Sequence, residues 1–240
     1  MKKERSLAAR WIQYGALMLI VQLAVACSDK TVPAAPVGNG SVVADGGRST
    51  VPASDERLIV AFGDSLYAGY NLDQDKGLAP VLEGALKARG VKARVVNAGV
   101  SGDTSAAGLV RLAFTLDGLS KKPDLMMVGL GGNDMLRGLA PAETRSNLNA
   151  ILTELKKRGI PVLLTGMLAS PNMGPDYAAA FNPIFPELAR QYDATLYPFM
   201  LDGVIGDRAL QLPDGIHPND KGVTVIVGKL TPIVAKALQP

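Results

Sequence analysis

From residue 57 to the end of the chain, short apolar runs alternate with stretches of helical period, and few folds accommodate that alternation. Leu58–Phe62 is continuous, apolar and of strand length, which reads as a strand buried on both faces. Ala93–Asn97, Pro123–Leu130, Ile160–Thr165 and the short Thr195–Tyr197 read as four more strands. Between them, Leu78–Arg89, Ser105–Leu119, about Pro141–Arg158 and Asp176–Tyr192 read as helices, and Lys221–Leu238 closes the chain as another. Leu78, Val81, Leu82, Ala85 and Leu86 carry helical spacing that stops at Gly90. Pro141 opens the third helix and Gly159 follows its end. Pro183 and Pro186 should shorten or kink the fourth. Strands and helices in this order predict an α/β domain, a parallel sheet covered on both faces by right-handed crossovers.

In such sheets ligands sit outside the carboxyl ends of the strands. Those ends are where this chain places its polar residues. The first strand runs into Gly63-Asp64-Ser65-Leu66, the second into Val100-Ser101-Gly102-Asp103, the third into Gly131-Gly132-Asn133-Asp134. Ser65 has two readings, a nucleophile or the cap of the next helix. The last loop carries Asp214-Gly215-Ile216-His217-Pro218-Asn219, and His217 is the only histidine. A serine activated by an imidazole here has no other base to use, and that base must be neutral to accept a proton. Pro218 biases His217 away from helical dihedrals, into a loop ahead of the closing helix. Asp214, three residues earlier, can fold back to the ring's Nδ1, fixing the tautomer and stabilising the imidazolium. Taken singly, His217 is equally a capping or surface histidine and Asp214 a turn residue before Gly215.

The four blocks together, in this order, resemble those of the SGNH (GDSL) hydrolases. Asn97-Ala98-Gly99-Val100-Ser101-Gly102-Asp103-Thr104 and the Asp214–Asn219 string are most similar to the thioesterase I/lysophospholipase L1/arylesterase branch, and the resemblance covers Arg57–Pro240. It implies a flavodoxin-like three-layer α/β/α sandwich with a five-stranded parallel sheet in the order 2-1-3-4-5. It implies Ser65 as nucleophile, His217 as base and Asp214 as its orienting acid. It also implies an oxyanion hole made of the Ser65 and Gly102 backbone amides and the Asn133 side chain. A missing Cβ lets the Gly102 N–H approach substrate closely, and Asn133 is a neutral donor. Asp64, Asn97, Asp103 and Asp134 read as scaffold, Asp64 bonding amides around the turn. Leu130, Met135, Leu136 and Met167 are expected to bed a short or medium acyl chain. Tyr67 and Gly77–Pro80 depart from the branch pattern, near the expected acyl groove.

The expected chemistry is hydrolysis of carboxylic esters, arylesters, acyl thioesters or lysophospholipids through an acyl-enzyme, without cofactor or metal. Ser65 lies outside a G-x-S-x-G elbow, and no H-E-x-x-H or Cys/His cluster appears. Two other functions share the blocks. A carbohydrate O-deacetylase would build sugar platforms from aromatics, yet the one Trp is Trp11, far from the domain. A catalytically silent envelope-binding lipoprotein would be expected to have lost part of the set.

The N-terminus reads as a targeting segment. Lys2, Lys3, Arg5 and Arg10 precede an apolar stretch, Trp11–Ala26, shorter than the roughly 20 residues of a spanning helix. The only cysteine, Cys27, follows it, so no intramolecular disulfide can form. This arrangement resembles the lipobox of bacterial lipoproteins, and implies lipid on Cys27 in the periplasm of a bacterial cell envelope, with Ser28 favouring the outer membrane; the other readings of the segment are an unprocessed anchor or ordinary cleavage after Ala26 with secretion. Residues 1–26 are then a signal peptide, 27–56 a Pro/Gly/Ser-rich tether, and 57–240 the hydrolase domain. The chain's charge of +3 belongs to the signal, since residues 27–240 hold 21 basic and 21 acidic side chains. That balance and the lack of like-charge runs exclude a nucleic-acid footprint.

Overall fold

A computed structural model describes residues 56–239. The expected signal peptide, Cys27 and tether lie outside them. Five strands, β1 (Arg57–Gly63), β2 (Ala93–Gly99), β3 (Leu125–Gly129), β4 (Val162–Thr165) and β5 (Thr195–Tyr197), form one parallel sheet in the order β2-β1-β3-β4-β5. Among the described residues the α-helices are α1 (Ser65–Ala68), α2 (Leu78–Ala88), α3 (Ser105–Asp117), α4 (Gly132–Leu136), α5 (Pro141–Lys157), α6 (Pro175–Phe181), α7 (Ile184–Tyr192) and α8 (Asp220–Ala237), with a short 3-10 turn at Pro171–Met173.

Successive strand residues face opposite layers, which is why the central strands β1 and β3 are apolar along almost their whole length, while the edge strand β2 carries the exposed Arg94 and Asn97. Ile59 and Ala61 of β1 and Met127 of β3 pack with Leu82 and Leu86 of α2 and Ile226 and Leu230 of α8. Val60 and Phe62 of β1 and Val128 of β3 pack on the other face with Leu112 of α3, Ile151 of α5 and Leu188 of α7. Each such side chain taken from water contributes about 1.5–3 kcal/mol. The sandwich and strand order match expectation.

Two local features differ from the sequence reading. The helix expected over Asp176–Tyr192 is two, α6 and α7, broken at Asn182–Pro183. Pro183 has no N–H to give and stands as the cap of α7, while Pro186 is accommodated in its first turn. Helices α1 and α4 are too short to leave a period, and both lie at the carboxyl edge of the sheet.

A row of glycines shapes that edge. Gly63 ends β1 and is in register with Gly99 of β2 and Gly129 of β3. A Cβ on Gly63 or Gly129 would stand 2.4 or 2.1 Å from the Tyr67 ring, and one on Gly99 2.3 Å from the Ala68 nitrogen. The bare backbone lets α1 fold flat over the strand ends. Tyr67 is thereby buried, its hydroxyl 2.8 Å from Thr165 Oγ1.

Candidate active site

Ser65 is the first residue of α1, and its neighbour, not Ser65 itself, caps that helix. Asp64 Oδ1 accepts the Leu66 N–H at 3.0 Å. The capping reading of Ser65 is therefore wrong, and its hydroxyl is free for another partner. That partner is His217, whose Nε2 lies 2.8 Å from Ser65 Oγ. On the other side of the ring, Nδ1 lies 2.7 Å from Asp214 Oδ2.

The loop before α8 is built to hold this pair. Asp214 Oδ1 accepts the backbone N–H groups of Ile216 and His217 at 2.9 and 3.0 Å, an Asx turn that aims its second oxygen at the ring. The His217 carbonyl accepts from Leu212 N–H, and Gln211 Nε2 donates to the Gly215 carbonyl. Asn219 caps α8 by accepting the Gly222 N–H. Partial desolvation pushes the Asp214 carboxyl up, but the two backbone N–H groups and the imidazole outweigh it and hold it below the ordinary carboxylate range. Asp214 is thus the ionised partner, and the Nδ1 proton has a fixed acceptor.

Ser65, Gly102, Asn133 and His217 all line one cleft of about 740 Å³. The Ser65 and Gly102 backbone N–H groups have no acceptor among the described residues. Asn133 Nδ2 gives one hydrogen to the Asp103 carbonyl at 3.0 Å, which orients the amide and leaves its second hydrogen available. A neutral, pre-placed group of donors beside a serine–imidazole pair can hold a developing oxyanion without reorganising.

The residues read as scaffold, Asp64, Asn97, Asp103 and Asp134, each bond backbone or a neighbouring side chain. Asp134 is buried and accepts the N–H of Ser105 at 2.7 Å, as well as the hydroxyls of Ser105 and Thr144. Asp103 pairs with Arg111, which also donates to the Gly63 carbonyl and lies over the Phe62 ring. Asn97 accepts the Gly99 N–H. Asp64 is 4% exposed, and desolvation, opposed by the Leu66 N–H, raises its carboxyl to about 6.

Because the folded chain holds the Asp64 proton more tightly than the unfolded chain, stability falls as pH rises from about 4 through about 6. Above that range the charged carboxylate costs on the order of 3 kcal/mol. Asp64→Asn removes this term. In urea unfolding, the wild type should lose about 2.4 kcal/mol more than the variant between pH 4 and pH 8, the rest of the term having already gone by pH 4. Parallel stability–pH curves would contradict the burial argument.

The apolar bed differs from the expected one. Met135, Leu136 and Met167 line the cleft, but Leu130 is buried beneath α3, against Gly108. Tyr67 faces the sheet, and Leu78 and Ala79 are buried in the layer with α8, so neither departure from the branch pattern touches the groove. Leu168, Phe199, Leu201, Ile205 and Ile216 complete the lining. They come from loops with no period, so their convergence left no signal in the sequence. Tyr70 was also missed. Its ring centroid is 4.5 Å from that of His217, which buttresses the imidazole from the solvent side. Its position just past Gly69, the αL end of α1, was the only cue.

Comparison with known proteins agrees with this geometry. The model of the GDSL-like lipase/acylhydrolase family matches residues 61–225. The esterase TesA of Pseudomonas aeruginosa is 43% identical over 169 residues, which are 70% of this chain and 83% of that protein. The thioesterase 1/protease 1/lysophospholipase L1 of Escherichia coli K12 is 38% identical over 188 residues, 78% of this chain and 85% of that protein. Among solved structures, AlinE4, an SGNH-hydrolase family esterase, superposes with a TM-score of 0.65 at 52% identity, covering 77% of this chain and 98% of that one. The matched residues, the strand order and the blocks at the strand ends point one way: the chain belongs to the GDSL-like lipase/acylhydrolase family of SGNH serine esterases.

Proposed function

We propose that Ser65 is the nucleophile of this esterase, His217 its general base and acid, and Asp214 the residue that orients the imidazole and stabilises its charged form. Ser65 Oγ attacks the acyl carbon of a bound ester while His217 Nε2 takes its proton. The oxyanion is held by the Ser65 and Gly102 N–H groups and by Asn133. His217 then returns the proton to the leaving oxygen or sulfur, leaving an acyl-Ser65 that water clears by the same steps in reverse. The observation that carries this reading is the unbroken line Asp214–His217–Ser65, with spacings of 2.7 and 2.8 Å, opening on one cleft.

The substrate we infer is a carboxylic ester or acyl thioester with an apolar acyl part, lysophospholipids and arylesters included. Its support is the methionine- and leucine-lined bed beside Asn133. Incubation with a p-nitrophenyl phosphonate should add one phosphonyl group to Ser65, located by peptide mass, with loss of p-nitrophenyl ester hydrolysis. Inhibition with the label elsewhere, or none, would defeat the assignment.

We further propose that Cys27 carries lipid and tethers the domain in the bacterial envelope. The basic residues 2–10, the apolar Trp11–Ala26 and the small residues before Cys27 support it. Among the described residues no helix is long and apolar enough to cross a membrane. Metabolic palmitate labelling should appear on the wild-type chain and vanish in Cys27→Ala; label retained in the variant would count against it.

A further inference from the structure

We propose that Arg137 is a positioning residue for the oxyanion donor Gly102, acting with Asn133 as a two-point clamp on the loop after β2. This rests on reading the Gly102 N–H as one of the donors. Val100 to Asp103 is a tight turn closed by the Asp103 N–H on the Val100 carbonyl at 3.1 Å, with Gly102 at φ +86°. The Gly102 N–H belongs to the central peptide of this turn, so the place of the Gly102 backbone sets where that N–H points.

Helix α4 holds the next two carbonyls of the loop, and through them the place of the Gly102 backbone. Arg137, the residue that ends α4, donates from its guanidinium to the Gly102 carbonyl at 2.7 Å. Asn133, one helical turn earlier, donates to the next carbonyl, Asp103, at 3.0 Å. Asp134 accepts from the Ser105 N–H two residues on. Residues four apart on a helix share a face, so two donors reach two consecutive carbonyls of one loop. The Asp134 bond is buried and Asn133 is itself in the cleft, whereas Arg137 is exposed. Arg137 is therefore the one member of the set that can be removed without opening the core or emptying the oxyanion hole. The bond it makes is charge-assisted, stronger than a neutral one.

The effect should appear in turnover rather than in binding. A donor displaced by a fraction of an ångström stabilises the transition state less and the bound ester about as well as before. Arg137→Met, which keeps the apolar stem and removes the donors, should lower kcat by about 10- to 100-fold with KM within about twofold. Arg137→Lys restores a donor and should recover most of kcat. Phosphonate labelling of Ser65 should slow in step, because that adduct uses the same donors, and the unfolding midpoint of both variants should match the wild type. Wild-type kcat in Arg137→Met, a raised KM at unchanged kcat, or a lysine that fails to recover turnover would each overturn the clamp. These outcomes are separate from failure of the nucleophile assignment, which would show as absent labelling of Ser65 in the wild-type chain.

Discussion

Ser65→Ala will lower ester turnover by roughly 10⁴–10⁶-fold, while the chain stays folded. The hydroxyl is the only atom removed. It is not the cap of α1, because Asp64 supplies that bond to Leu66, so the short helix keeps its start. The glycine row beneath α1 and the buried Tyr67 are untouched. What disappears is the atom that His217 Nε2 faces at 2.8 Å. Gly102, Asn133 and the apolar bed remain, and they can still bind an ester and polarise its carbonyl toward water. A residual rate of about 10³–10⁴ over the uncatalysed reaction is therefore expected, with KM little changed. Turnover of p-nitrophenyl esters within tenfold of wild type would rule out Ser65 as nucleophile, whatever the family resemblance.

Asp214→Asn should cost turnover about 10²–10⁴-fold, and it isolates one function of that side chain. Asparagine keeps an oxygen that can accept from the Ile216 and His217 N–H groups, so the loop retains its Asx turn. It loses the second, charged oxygen 2.7 Å from Nδ1. An amide nitrogen there would turn the ring to the tautomer with its proton on Nε2, facing Ser65, where it cannot take one up. It would also leave the imidazolium uncompensated. Asp214 is about a third exposed, and solvent screening sets the lower end of the range. In the wild type, the carboxyl held below its ordinary range stays ionised well into mild acid, so this contribution should not fade until the pH falls past the usual carboxylate region. A variant within threefold of wild type at neutral pH would show that the ring is oriented by other means, such as the tilted ring contact with Tyr70.

Much of the site was legible because its parts are chemically irreplaceable and sit at the same end of successive strands. A chain with one histidine offers one imidazole base, and Pro218 already placed it in a loop. Gly102 and Asn133 followed the second and third strands, where open α/β sheets gather ligands. The lining of the cleft was not legible. Phe199, Ile205 and Ile216 come from irregular segments, and periodicity reports only which face of a regular element is buried. Leu130 was misassigned for the same reason: an apolar residue at a strand end can turn into the core or into a groove, and here it packs on Gly108. The break at Asn182–Pro183 was foreseen as a kink, but two separate helices depend on how α6 and α7 pack beneath α5 and β4.

While the order of the strands in the sheet was implied by the family resemblance, local chemistry along the chain determined the number of strands, the parallel sheet and the identity of the only available base. These follow from apolar runs, helix stops and composition, which act over a few residues. Residue pattern by itself left open which of two adjacent residues caps α1; the family resemblance implied that Ser65 rather than Asp64 meets the imidazole, and the tertiary structure shows how. That choice depends on the direction in which α1 leaves the sheet. Gly63, Gly99 and Gly129 set it, three residues far apart in sequence that form one row only when the strands pair in register. Tyr67 went under the edge for the same reason, and α4 met the loop after β2 only because β3 lies beside β1. Side-chain direction at a helix start is a property of what the helix packs against, and that information is not local.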